Sequence, residues 1–198
     1  ISKGMLREAK KLANRNVEVF SRRLNSETIL VGVEASAILA FRDEYIDLVD
    51  EHLVADAVRI APHTMLIEEF LCQEDKLGNI DKSLFQENNR EILVHTHCQQ
   101  KAWKLQYATE EALRIPSGYK VTAIPSGCCG MAGSFGFEEE HYELSMKIGE
   151  LVLFPAIRAK DSDTIVVAPG ASCRLQISSG TEAKALHPVD VLYEALKS

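Results

Sequence analysis

The stretch REILVHTHC, Arg90 to Cys98, decides the fold. Its first half is a short apolar, β-branched run of the kind that forms a buried strand. It ends in His95, His97 and Cys98, and the helix-forming run QQKAWKLQYATEEALRI follows, closed by Pro116 and Gly118. The same order recurs twice. YKVTAIPSG leads into Cys128 and Cys129, then into the helical EEEHYELSMKIGELVLF, and DTIVVAPGAS leads into Cys173. Strands alternating with helices predict an α/β fold with a mainly parallel sheet flanked by helices. Ligands of such sheets bind outside the carboxyl ends of the strands. Four thiols are therefore expected to converge at one sheet edge.

Working outward, residues 5–20 place Met5, Ala9, Leu12, Ala13, Asn16 and Phe20 near one helical face. ETILVGVEAS reads as a buried strand, and DEYIDLVDEHLVADAV and TMLIEEFLCQ read as helices. Within EEEHYELSMKIGELVLF the apolar stripe is Leu144, Ile148, Leu151 and Val152, and Pro155 should end or kink the helix. HPVDVLYEALK is a last helix that Pro188 helps to start.

Composition narrows the function. The chain has 198 residues, 46% of them apolar, enough for a substantial core. A net charge of -7 without a basic block argues against a nucleic-acid surface. No apolar run is long enough for a transmembrane segment, and no signal peptide is visible. A cytoplasmic protein is expected, at most peripheral to the inner face of a membrane through a partner. The first residue is Ile, which suggests a piece of a longer polypeptide. Five cysteines without a disulfide spacing favour metal or redox chemistry over structural cross-links.

The chain also repeats itself. SETILVGVEASAIL, Ser26 to Leu39, lies on SDTIVVAPGASCRL, Ser162 to Leu175. Half the positions are identical: Ser26, Thr28, Ile29, Val31, Ala35, Ser36 and Leu39. In this register Ala37 sits where Cys173 sits, Lys11 on Lys147 and Arg22 on Arg158. The expected organisation is a degenerate remainder of a first repeat over residues 1–90, without cysteine ligands, and a complete second repeat over 91–198.

The adjacency of Cys128 and Cys129 bears on the chemistry. Neighbouring side chains on extended backbone point to opposite sides. Two adjacent thiolates suit two metal atoms of one cluster better than one zinc ion, whose ligands are usually spaced by two to four residues. Gly127, Gly130, Gly133 and Gly136 would let backbone approach and offer N–H groups to sulfur. His95 and His97 alternate at the strand end, and one of them could ligate or support a metal; His97, next to Cys98, is the first choice.

These residues carry a resemblance. HTHCQQKA, SGCCGMAGSFGFEEEHYELSMKIGE, VAPGASCRLQI and HPVDVLYEAL together resemble the cysteine-rich CCG domain. That domain occurs in heterodisulfide reductase and in the iron–sulfur subunits of glycolate oxidase and anaerobic glycerol-3-phosphate dehydrogenase. The likeness is greatest to the C-terminal region of fused FAD-linked oxidases of the D-lactate and D-2-hydroxyglutarate dehydrogenase type, and it runs over nearly the whole chain. It implies an iron–sulfur cluster, of the 4Fe-4S kind, held by Cys98, Cys128, Cys129 and Cys173. His95, His97, Gly127, Gly130 and Ser172 would surround it. It also implies FAD in a flavin-binding domain elsewhere in the polypeptide or complex. Electrons would pass from that flavin to a quinone or protein carrier, and the isolated piece would be inactive. The sequence departs from the fullest motif by ending in a single Cys173 and by having Gln99 where relatives often carry a third histidine.

Other readings stay open. Three of the cysteines could form a zinc-binding structural module with His97, or the thiols a thiol–disulfide redox site, or a buried inert turn. GMAGSFG lacks the lysine of a nucleotide-binding loop. Cys72 lies in an amphipathic helix and reads as structural. His141 and His187 read as helix-start residues, and Arg42, Asp43 and Glu44 as a solvated helix start.

Overall fold

The computed structural model describes residues 1–197. The chain divides into two compact units, Ile1–Ile67 and Glu68 onward.

The first unit opens with α1 (Leu6–Ser21), whose buried residues are Ala13 and Val17. Strand β1 (Leu30–Gly32) follows, then α2 (Ala35–Ile38), α3 (Glu44–Leu48), α4 (Val54–Ile60) and β2 (Thr64–Leu66). β1 and β2 pair in parallel, Leu30 opposite Thr64 and Gly32 opposite Leu66. Two expectations change here. The single helix over 43–58 is broken, because Val49 and Asp50 adopt extended backbone. Asn14 holds that break, accepting from the Asp50 backbone N–H at 2.9 Å, while Lys10 pairs with the Asp50 carboxylate at 2.9 Å. Thr64–Leu66 is a strand and not the start of a helix. Arg42, expected at a solvated helix start, is part-buried and donates to the Thr64 carbonyl at 2.8 Å, fastening β2.

The second unit contains α5 (Ile67–Lys76), β3 (Arg90–Val94), α6 (Cys98–Ala102), α7 (Gln106–Leu113) and β4 (Tyr119–Ala123). Then come α8 (Glu139–Leu151), α9 (Leu153–Arg158), β5 (Ile165–Val167), α10 (Ala171–Gly180), β6 (Ala185–Leu186) and α11 (Pro188–Glu194). The sheet is wholly parallel, in the order β4-β3-β5-β6. The predicted α/β class with parallel strands is the observed one. The strand side chains alternate between two cores. Ile92, Val94 and Val167 join Ala108, Leu113, Val191 and Cys72 on one face. Leu93 and Val166 join Phe154, Ile157 and Ile177 on the other. Helices therefore cover both faces, as a parallel sheet requires.

The order also fixes where a site belongs. From β3 the chain first adds β4 on one side, then returns to add β5 on the other. The crevice between the carboxyl ends of β3 and β5 is the topological switch point.

Two helices differ from expectation. The run after Cys98 splits at Lys104, whose backbone is left-handed (φ 58°), into α6 and α7. In α8 the buried residues are Ser145 and Gly149, while Leu144 and Leu151 are 51% and 75% exposed. Close approach, and not bulk, selects this face. A Cβ on Gly149 would lie 2.4 Å from the Phe154 ring, and one on Gly180 would lie 2.1 Å from it. Phe154 is fully buried between the two, a burial worth about 2–3 kcal/mol. Pro155 sits within α9, beyond the break at Val152.

Candidate metal centre

The residue after β3 is His95, whose backbone N–H still donates to the Val167 carbonyl at 2.9 Å. His95 is fully buried at the switch point. Its Nδ1 lies 2.8 Å from the Ser126 hydroxyl, and its Nε2 is buried without a hydrogen-bond partner. Two residues later, His97 caps α6. Its Nδ1 accepts from the Gln99 N–H at 3.2 Å, and Gln100 accepts from the His97 N–H at 3.2 Å. This capping box satisfies two otherwise orphaned donors and fixes where Cys98 begins the helix. Gln100 is itself fully buried and held by Thr109 at 3.0 Å.

Cys128 and Cys129 follow β4. Past them the backbone is left-handed at Gly130, Ala132 and Gly133 (φ 106°, 41° and 71°). This turn wraps N–H groups around sulfur: Gly130 donates to Cys128 Sγ at 3.3 Å, Ala132 also bonds it, and Met131 bonds Cys129. Such concave runs of N–H groups favour anions. Gly130 serves a second end, since a Cβ there would lie 2.3 Å from the Ser145 carbonyl oxygen. The glycine lets α8 close on the loop. Gly127 faces open space.

Cys173 lies in the first turn of α10, next to Ser172, where the helix N-terminus favours thiolate. Gly170 at the N-cap admits the His97 ring; a Cβ would meet its Cδ2 at 2.3 Å and Cys173 Sγ at 3.2 Å. Gln176 of α10 donates to the Ser145 hydroxyl at 2.9 Å, tying that helix to α8. Arg174 donates to the carbonyls of Ala168 and Pro169 at 2.9 and 2.7 Å and pins the turn.

The result is a chain of sulfur contacts in the order Cys98, Cys128, Cys129, Cys173, with His95 at the far end. Cys98 is exposed, and Cys129 and Cys173 are buried. The ligand atoms of His95, Cys129 and Cys173 lie within 4.8 Å of one another. The thiols differ sharply in acidity. Cys128 is held well below the ordinary thiol range, first by its hydrogen bond with Cys129, then by Cys98 and the Gly130 and Ala132 N–H groups. Cys173 is held down to about 5, chiefly by its bond with Cys129; burial opposes this, and His95 supports it. Cys129 is raised by its bonds with Cys128 and Cys173, and Cys98 by its bond with Cys128. Lys101 stands over the set, donating to the carbonyls of Ser126 and Gly127, the latter at 2.9 Å. Burial lowers the Lys101 pKa and the four thiols oppose that.

All four expected cysteines thus come together. Cys72 lies apart in the opposite core, its thiol donating to the Ala108 carbonyl at 3.2 Å. His187 caps α11, accepting from the Val189 N–H at 3.1 Å. His141 stacks on Phe135 with centroids 4.1 Å apart and lies 3.0 Å from the Glu138 carboxylate. Lys101, Ser126, Gly170 and Gln176 were not singled out by sequence reasoning. Only Gly170, in the turn before a helix, carried a signal that could have found it.

Comparison with known proteins gives relatives over almost the full chain. It is 30% identical to a subunit of the anaerobic glycerol-3-phosphate dehydrogenase of Escherichia coli K12, over 99% of this chain and 48% of that protein. It is 29% identical to D-2-hydroxyglutarate dehydrogenase of Haemophilus influenzae, over 98% of this chain and 19% of that protein. The Escherichia coli K12 D-2-hydroxyglutarate dehydrogenase is 27% identical, over 98% of this chain and 18% of its own length. The chain therefore spans about half of one relative and about a fifth of the others. Its homologues are oxidoreductases or parts of them, consistent with a CCG-type domain. No protein-family model matches the chain, and no solved structure matches it. Among the described residues no helix is long and apolar enough to cross a membrane.

Proposed function

We propose that this chain is the iron–sulfur electron-relay part of a flavin-dependent 2-hydroxyacid dehydrogenase. A hydroxyacid yields two electrons and two protons on becoming the oxoacid. FAD in a separate flavin-binding domain would accept the pair. An iron–sulfur cluster bound here would carry electrons onward singly, to a quinone or protein acceptor. The observation that carries this reading is the convergence of Cys98, Cys128, Cys129 and Cys173 into one contiguous set at the switch point.

The residues present fit such a group. Four thiols offer soft ligation. N–H groups of Gly130, Met131 and Ala132 already point at sulfur, and Lys101 offsets negative charge. The absence of membrane-spanning helices among the described residues is compatible with reaching a membrane acceptor through a partner.

The repeat belongs to the same proposal, with residues 1–90 the remainder of one copy and 91–198 the second. Ala35 begins α2, and its aligned partner Ala171 begins α10. Leu30 pairs with Thr64 and Val31 with Met65; their aligned partners Val166 and Val167 pair with Ala185 and Leu186. The first copy has Ala37 in place of Cys173 and cannot supply that thiolate.

Anaerobic reconstitution with iron and sulfide, followed by metal and sulfide assay and EPR, tests the proposal. Several irons with matching sulfide are expected. A second reading is a single zinc ion, which the grouping of His95, Cys129 and Cys173 favours. One zinc and no sulfide in that assay would replace the first reading with the second.

A further inference from the structure

In a site built from four thiols alone, the His95 imidazole would only support Cys173 at the end of the sulfur chain. It is fully buried, its Nδ1 is engaged by the Ser126 hydroxyl at 2.8 Å, and Nε2 is buried with no hydrogen-bond partner. A buried polar atom left in this state is destabilising unless something satisfies it. Its neighbours are the thiols of Cys129 and Cys173, with the ligand atoms of all three within 4.8 Å of one another.

Resting on the cluster reading above, we propose that His95 is a direct ligand of the metal centre through Nε2, beside Cys129 and Cys173. The tautomer this needs, with the proton on Nδ1, is one that the Ser126 hydroxyl can accept from. Ligating histidines donate their other ring N–H to a fixed acceptor, which sets ring orientation and raises basicity. Ser126 Oγ provides that acceptor at Nδ1. The Ser126 backbone is in turn clamped, its carbonyl accepting from Lys101. The His95 backbone is locked into the ladder with Val167. Ring, acceptor and strand are each held by contacts within the protein. His97 is disposed otherwise, with Nδ1 spent on the α6 cap. Cys98, at the other end of the thiol chain, is exposed. The buried ligands are thus His95, Cys129 and Cys173, and the ligand set is mixed nitrogen and sulfur. Imidazole in place of thiolate raises the reduction potential of an iron–sulfur centre.

The test is pulsed EPR of the reduced, iron- and sulfide-reconstituted protein, in unlabelled form and with nitrogen-15 histidine. A directly bonded nitrogen coupling is expected, changing isotope with the label. It should be lost in His95→Gln and kept in His97→Gln. A folded His95→Cys variant should bind iron at a lower midpoint potential. Should His95→Gln fail to fold, the labelled native protein and His97→Gln still decide the point. Iron and sulfide without bonded nitrogen, or a coupling that vanishes in His97→Gln, overturns this inference and leaves the cluster reading standing. A protein that takes up no iron overturns both.

Discussion

The ammonium of Lys101 donates to the carbonyl oxygen of Gly127 at 2.9 Å, so the residue three positions after Cys98 holds the loop that carries Cys128. One side chain spans two ligand-bearing segments and places a cation beside all four thiols. Lys101→Met should therefore lower the midpoint potential of the reconstituted centre. The reduced form is the more negative one and loses its counter-charge. An effect on the order of 1 kcal/mol, about 40 mV for one electron, is expected by redox titration. An unchanged potential would show that the lysine acts on the loop alone.

Cys128→Ser and Cys173→Ser should each lose most of the bound iron on anaerobic reconstitution while keeping native far-UV circular dichroism. Both thiols have neighbours that stabilise the thiolate, the form that binds metal. Iron content equal to that of the native chain in either variant would remove that residue from the ligand set.

Gly130→Ala should destabilise the chain by about 3 kcal/mol in urea unfolding. Its left-handed backbone disfavours a side chain, and the new Cβ would sit 2.3 Å from the Ser145 carbonyl oxygen. Gly127→Ala faces open space and should stay within about 0.5 kcal/mol of the native value. Equal effects at the two positions would contradict this account of the loop.

Gly149→Ala should cost about 2 kcal/mol by pressing on Phe154. In the Phe154→Leu background the added cost should shrink, because the smaller side chain yields the space. A double-mutant cycle with no coupling between the two positions would overturn the contact as the cause.

Burial pushes the Cys72 thiol up to about 11, against about 9 for an ordinary thiol. The unfolded chain therefore releases this proton first. Between about pH 9 and 11 it binds fewer protons than the folded chain, so stability falls as pH rises. The part due to Cys72 is about 2–3 kcal/mol, complete below pH 9 and lost by pH 11. Urea titrations of native protein and Cys72→Ala should diverge at pH 7 and converge toward pH 11. Parallel pH profiles would refute it. Iron content should be unaffected, since Cys72 lies in the opposite core.

Much of this architecture was legible from the chain. The longer strands β3 and β4 could be read because β-branched runs end at turn residues, and the thiols could be located because each follows a strand. The short strands β2 and β6 could not. Thr64–Leu66 runs directly into the amphipathic helix α5, whose first residue Ile67 prolongs the apolar run, so no change of period marks the border. The buried face of α8 was hidden because close approach chose Ser145 and Gly149 over the leucines. Within the site, residue type revealed the cysteines. Lys101, Ser126 and Gln176 act only through partners that the fold brings near; the His95–Ser126 contact spans 31 positions. No local pattern encodes such a pairing.

The parallel sheet has a consequence for biogenesis. Parallel neighbours need long crossovers, so no hairpin brings two of the three thiol-bearing segments together. The crevice exists only once β5 has docked against β3, on the far side from β4. A nascent chain emerging through Cys129 has three of the thiols but not the fourth, nor the backbone partner of His95. The complete set of four thiols is therefore available to a metal centre only after β5 has docked.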